Sequence, residues 1–279
     1  MAENSADSQM QCGNVGRPAG QPCEDCPVSG FDGGEDQWIQ RLGLLRNVIR
    51  QEVIARQLSD LVTPGSKVLD VGCGQGTQAL KLAAAGCHVT GIDPSEELVS
   101  RFAAEAQAAN ADVELIDGTI EELPQLLGAR RFDLVCAHGL MMYLDDHAQA
   151  IAMLSTFVDR GGLMSFTVRN AHSLAMRPGL RRDWSGAVMA LESDQYVNEL
   201  GLTAFADRLE DVTRHLSEIE FQIVAWYGVR VFTDAVPNGT PVPGRGELRR
   251  LIDAEDKAGR IDPYRWMGSQ IHVIAEQRP

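Results

Sequence analysis

The sequence predicts an α/β fold built on a mostly parallel, doubly wound sheet. Three observations predict it. Short apolar runs alternate with helical periods through the middle of the chain, the pattern of parallel strands joined by right-handed crossovers. A glycine turn, Gly72-Cys73-Gly74-Gln75-Gly76, follows one apolar run directly and opens a helix. Asp93 then closes the next apolar run, 17 residues beyond Gly76.

Residues 1–35 are rich in Gly, Pro, Ser, Asn and acids and have no apolar period. They read as a disordered acidic tail. Residues 36–279 read as one domain, with no internal repeat. Trp38, Leu42, Leu45, Ile49, Val53, Ile54, Leu58 and Leu61 recur at three or four residues, which predicts an amphipathic N-terminal helix from Asp36 that stops near Thr63-Pro64-Gly65. Strand 67–71, helix 77–86 and strand 88–92 follow. A helix opens at Pro94-Ser95 with Leu98, Val99, Phe102 and Ala106 on one face. Strands 113–116 and 132–137, helix 145–159 and strand 163–168 come next, the last after a turn at Gly161-Gly162. Residues 169–184 form an insertion too long for an ordinary loop, and long loops are usually functional or disordered. Arginines, His172 and Trp184 favour a substrate lid. Helix 204–216, strand 221–231, a Pro/Gly-rich loop, helix 247–258 and strand 270–276 complete the chain. The expected architecture is a Rossmann-like, doubly wound, mostly parallel seven-stranded sheet with an N-terminal helix and a lid insertion after the fifth strand. Ligands of such sheets bind at the carboxyl ends of the strands.

Composition narrows the function. No apolar run approaches the roughly 20 residues that span a bilayer, and the N-terminus lacks a basic segment followed by an apolar one, so a cytoplasmic protein with no membrane partner is expected. The net charge of −14 argues against a general nucleic-acid surface, which needs clustered Lys and Arg. The charge is uneven, however: residues 160–182 carry five arginines and no acid. Cys73, Cys87 and Cys136 fall in strands or the glycine turn and read as small buried residues of a reducing compartment. Cys23 and Cys26 have zinc-ligand spacing, but with Cys12 the tail offers three cysteines and no histidine, and a tetrahedral site needs four ligands. No metal is expected. Nothing in the sequence specifies an oligomeric state.

Glycines two apart let the backbone turn sharply and approach a ligand, and the helix behind them presents free N–H groups. Asp93 can accept both hydroxyls of a ribose. Asp70 stands two residues before the first glycine. The form Leu69-Asp70-Val71-Gly72-Cys73-Gly74-Gln75-Gly76 resembles the first motif of Rossmann-like S-adenosylmethionine-dependent methyltransferases. The resemblance implies S-adenosyl-L-methionine as cofactor, with Asp70, Gly72, Cys73, Gly74 and Gly76 around its methionine part and Asp93 on its ribose. Two other readings stand beside it. A nicotinamide-dependent oxidoreductase is opposed by the absence of the G-x-G-x-x-G spacing, and a non-catalytic cofactor-binding regulator would bind without turnover.

Leu44-Leu45-Arg46, His138 after the fourth strand, Asn170-Ala171-His172, Gly228-Val229-Arg230-Val231-Phe232 and Ile271-His272-Val273 resemble the pattern of the CmoM-type tRNA 5-carboxymethoxyuridine methyltransferases, which esterify a carboxylate on a wobble uridine. This resemblance implies that Arg46 reaches the cofactor carboxylate, that Thr119 and Ile120 flank the adenine, and that His138 sits beside the methyl donor. The roles of Arg230 and His272 stay open. The chain departs from that family where a lysine-rich stretch is expected after the lid: residues 187–194 are apolar and then acidic. A small anionic metabolite therefore stands beside tRNA as the acceptor.

Methyl transfer needs the nucleophile held behind the methyl group. A carboxylate is already ionised and needs no base; Arg169, Asn170, Arg177, Arg181 and Arg182 of the lid would bind it. A hydroxyl or amine acceptor needs a base near pKa 7, and His138 and His172 are the catalytic candidates.

Overall fold

The computed structural model describes residues 43–198, 201 and 203–278. The expected acidic tail, its cysteines and the first turns of the N-terminal helix, with Trp38 and Leu42, lie outside them. Nine α-helices and nine strands are found among the described residues, and seven of the strands form one sheet in the order β3-β2-β1-β4-β5-β9-β8.

The first five strands are β1 (Lys67–Val71), β2 (His88–Asp93), β3 (Val113–Asp117), β4 (Phe132–Ala137) and β5 (Val158–Arg169). All five run parallel. β9 (Gln270–Gln277) is antiparallel to both β5 and β8 (Phe221–Val229). The strand order reverses between β1 and β4, and the crevice outside their carboxyl ends is where such sheets bind ligands.

Helices cover both faces because the strands are apolar on both sides. On one face lie α1 (Leu45–Ser59), α2 (Thr77–Ala84) and α3 (Glu96–Ala109), which pack Ile54, Leu58, Ala79, Leu82 and Phe102 against Val68, Val89 and Leu134. On the other lie α4 (Leu123–Leu127), α5 (His147–Ser155) and α8 (Leu209–Glu218), which pack Leu123, Ile151, Leu154 and Leu216 against Leu69, Val135 and Phe166. The last helix, α9 (Arg245–Ala258), brings Ile252 against Leu45, Ile49 and Val53 of α1. Ser95 caps α3 by accepting from the Leu98 N–H, and Asp146 caps α5 by accepting from the Gln149 N–H.

The insertion is a small layer of its own. It holds α6 (Met176–Leu180), α7 (Trp184–Glu192) and a hairpin of β6 (Gln195–Val197) with β7 (Thr203–Phe205). The lid therefore runs past residue 184 to Phe205. A helix from residue 204 was expected; Ala204 and Phe205 instead pair with Tyr196 and Gln195, and α8 starts at Leu209. Pairing here overrides the helical preference of alanine, which is a weak prior.

The expected turn at Gly161-Gly162 is a break within β5. The strand pairs with β4 at Val158, the register then shifts, and pairing resumes at Leu163. A Cβ on Gly162 would stand 2.9 Å from the Phe132 carbonyl oxygen, so only glycine lets the two backbones come this close. Among the described residues no helix is long and apolar enough to cross a membrane.

Candidate active site

The carboxyl ends of β1, β2 and β4 open into a cavity of about 960 Å³. The glycine turn forms its floor. Gly72, Cys73, Gly74, Asp70, Asp93, Thr119, Ile120 and His138 all line it, as the sequence suggests. Gly76 does not. A Cβ there would fall 2.2 Å from the Phe102 ring, and its φ is +79°. Its glycine serves the turn and the packing of α3, two constraints that sequence spacing does not separate from ligand contact.

Asp93 braces the turn from the end of β2. Its Oδ2 accepts from the Gly74 N–H at 2.7 Å and its Oδ1 from the Ser95 N–H at 3.0 Å. Asp70 lies under the same turn, 3% exposed. Burial, then the charge of Asp93, pushes its carboxyl up to about 7. Gln78 of α2, which lines the cavity, donates its Nε2 to the Gln51 carbonyl, while its buried Oε1 has no hydrogen-bond partner. These groups form a corner rich in hydrogen-bond acceptors. Burial and the two aspartates push the Cys73 thiol well above its ordinary range, so it is an inert wall.

A second cavity of about 660 Å³ lies under the lid. Arg50, Tyr143 and Thr203 line both cavities and mark where they meet. Arg46, Arg169, Arg177 and Arg230 line the second alone. Thus Arg46, expected at the cofactor carboxylate, faces the lid side, where it donates to Asn238 Oδ1 at 2.6 Å and lies 3.6 Å from Asp234. Arg50, one turn later on the same helix face, is the arginine beside the first cavity. That i, i+4 relation was the available signal.

Asp234 collects the arginines. Arg177 grips it with two hydrogen bonds, Nε at 3.0 Å and Nη2 at 2.9 Å. Arg230 stands at 3.4 Å and Arg169 at 3.6 Å. Despite its burial, the charges of Arg230, Arg169 and Arg177 hold the Asp234 carboxyl well below the usual range. Burial lowers the Arg230 guanidinium to about 10, opposed by Asp234 and aided by Arg169, Arg177 and Arg50. The Arg169 guanidinium also lies over the Tyr196 ring, 5.5 Å from its centroid.

The other predicted lid residues have structural partners. Arg181 reaches the Ala235 and Val236 carbonyls at 3.1 and 2.6 Å and latches the lid to the loop after β8. Arg182 is exposed and lines neither cavity. Asn170 is fully buried and donates its amide to the Trp266 and Gly268 carbonyls. His172 lines neither cavity; its Nε2 faces Glu210 at 3.4 Å.

His138 does line the first cavity, but it begins a buried chain. Its Nε2 meets Ser165 Oγ at 3.0 Å, Ser165 Oγ meets His272 Nε2 at 2.7 Å, and His272 Nδ1 meets Gln57 Oε1 at 2.6 Å. Gln57 Oε1 accepts, so His272 carries its proton on Nδ1 and takes the Ser165 hydroxyl on Nε2. Ser165 then accepts from the His138 Nε2–H. That leaves His138 Nδ1 as a lone-pair acceptor without a partner. Burial, then the charge of Arg50, pushes the His138 imidazole down to about 3. Among the described residues no group of three or more His, Cys, Asp and Glu could hold a metal ion.

Comparison with known proteins gives the family. A family model described as a methyltransferase domain matches residues 68–162, from β1 to the break in β5. A malonyl-[acyl-carrier protein] O-methyltransferase of Pseudescherichia vulneris is 30% identical over 212 residues, 71% of this chain and 80% of that protein. The chain belongs to the S-adenosylmethionine-dependent methyltransferases. A tRNA 5-carboxymethoxyuridine methyltransferase of Escherichia coli O157:H7 is 28% identical to this methyltransferase over 242 residues, 84% of the chain and 89% of the relative. The fold is shared with magnesium protoporphyrin IX methyltransferase of Synechocystis PCC 6803, solved with bound SAH, at a TM-score of 0.60 and 18% identity over 88% of this chain and 96% of that one. The protein is thus a methyltransferase enzyme with S-adenosyl-L-methionine as its cofactor.

Proposed function

We propose that this methyltransferase esterifies a carboxylate on an anionic acceptor. One observation carries the reading: a cavity walled by Arg46, Arg169, Arg177 and Arg230 adjoins the cofactor cavity at Arg50 and Tyr143. Guanidinium forks match carboxylates in geometry as well as charge.

The residues of the first cavity fit the cofactor. Its amino-acid end is a zwitterion. Asp70 and the unpartnered Gln78 Oε1 suit the ammonium, and Arg50 suits the carboxylate. Asp93 takes the ribose hydroxyls, and Thr119 and Ile120 flank the adenine. Bound there, S-adenosylmethionine supplies an electrophilic methyl group. His138 stays neutral at neutral pH and presents a weakly basic nitrogen, and His172 lies elsewhere. A weakly basic His138 and a His172 outside both cavities leave no general base at the junction among the described residues, which favours a nucleophile that arrives already ionised. The arginine wall draws such a group in under the lid, toward the junction.

Two acceptor classes share this chemistry. The relative from Escherichia coli O157:H7 is named for a tRNA carboxymethoxyuridine. The net charge of −14 and the exposed Val188, Met189 and Leu191 on the lid favour a small anionic molecule instead. The experiment incubates the protein with labelled S-adenosylmethionine and either total tRNA or a small-metabolite extract from its own source. Label that mild alkali releases from a small molecule is the expected result. Alkali-labile label in tRNA would assign the acceptor to tRNA, and alkali-stable label would overturn the carboxylate reading.

A further inference from the structure

The second cavity holds more positive charge than one reacting carboxylate can use. Transfer requires the reacting oxygen at the junction of the cavities, where Arg50, Tyr143 and Thr203 stand. Arg169 and Arg230 line only the second cavity and are not among the residues the two cavities share. They are 5% and 7% exposed, so water screens them poorly. Within the described residues Asp234 is the carboxylate they face, and it is already gripped through both oxygens by Arg177. At 3.6 and 3.4 Å, Arg169 and Arg230 make no hydrogen bond to it. Arg230 spends its Nε on Ser269 Oγ at 3.0 Å. The buried Nε of Arg169 has no hydrogen-bond partner. A buried cation is costly without a paired and hydrogen-bonded anion.

We propose that Arg169 and Arg230 form a site for a second oxyanion of the acceptor, a carboxylate or a phosphate, separate from the group that receives the methyl. This rests on the carboxylate reading above and narrows it: the acceptor is a compound with two anionic ends, one at the junction and one under the lid. Tyr196, whose ring lies under the Arg169 guanidinium, lines the same cavity. A cavity of about 660 Å³ admits such a molecule. A simple monocarboxylate would fill the junction and leave the two buried guanidiniums without a hydrogen-bonded anion, since they share Asp234 only at 3.6 and 3.4 Å.

The test is calorimetry on the full chain saturated with S-adenosylhomocysteine. The probes are dicarboxylates of three to six carbons, phosphonoacetate and 3-phosphonopropionate, each against a monocarboxylate of equal length. We expect at least one dianion to bind about tenfold or more tightly than its matched monoanion, as one charged hydrogen-bonded contact predicts. Dicarboxylate and phosphonate arms distinguish the two oxyanions. That preference should collapse in Arg169→Gln and Arg230→Gln, with affinity for S-adenosylhomocysteine unchanged as the control for folding. If either variant does not fold, Arg230→Lys, which keeps the charge and loses the fork, is measured instead, with a reduced preference expected. Equal affinities across every matched pair would overturn the inference, and so would a preference that survives the substitutions. No methyl transfer is measured, so failure here leaves the alkali-release result standing, and failure there leaves this one.

Discussion

Asp70 and Asp93 lie together beneath the glycine turn, and their proximity sets a pH dependence. In an unfolded chain an aspartate titrates near 4, whereas folding lifts Asp70 to about 7. Between those values the folded state holds the extra proton. The contribution of Asp70 to stability is therefore complete below about pH 4 and is lost as the pH rises through about 7. Asp70→Asn, which cannot ionise, should melt above the parent at pH 8, with the gap closing toward pH 5; a gap independent of pH would count against this account. Asp93→Ala removes the acceptor of the Gly74 and Ser95 N–H groups. Calorimetry should show S-adenosylhomocysteine bound more weakly by about 1–3 kcal/mol. Both aspartates were legible in the sequence because a strand end and a glycine turn fix where the next side chain points. Gly76 was legible as a required glycine, but its reason was not: the Phe102 ring that fills its place comes from a helix 26 residues away.

The elements around the second cavity were the harder part to read. The helical period of α1 identifies its buried stripe, Leu45, Ile49, Val53, Ile54 and Leu58. It does not say how that stripe is rotated against α9 and β8, and that rotation decides which of Arg46 and Arg50 meets which cavity. Asp234 gathers Arg46, Arg169, Arg177 and Arg230 from three elements and the end of β8, so no local spacing announces it. The lid arginines looked alike as a run, yet they divide by role. Arg177 lines the cavity, Arg181 latches the lid to two backbone carbonyls, and Arg182 faces out. Arg181→Ala should raise the acceptor KM about threefold to tenfold, since such contacts are worth ~0.5–1.5 kcal/mol, and spare cofactor affinity. Arg182→Ala should change neither constant.

At the scale of the whole molecule the charge is inverted, acidic over the chain and basic in the cavity. The net −14 opposes the approach of an anion from a distance, while the arginines attract it at contact. Salt screens exposed charges over about 10 Å at 0.1 M and buried ones much less. Raising ionic strength from about 0.01 M to about 0.1 M should therefore increase kcat/KM for a small anionic acceptor. A protein whose affinity rests on phosphate contacts to nucleic acid shows the opposite slope.

The arginine wall also bears on how a turnover ends. On the carboxylate reading proposed above, esterification erases the negative charge of the reacting group, so the group that the arginine wall attracted on entry becomes one it has no electrostatic reason to keep. The reaction itself thus weakens the grip on its own product, and discharge follows from the chemistry without a separate opening signal. The free acid should compete with the acceptor at least tenfold more strongly than its methyl ester, about the worth of one charged hydrogen bond, and equal inhibition by the two would place the recognised charge elsewhere on the molecule.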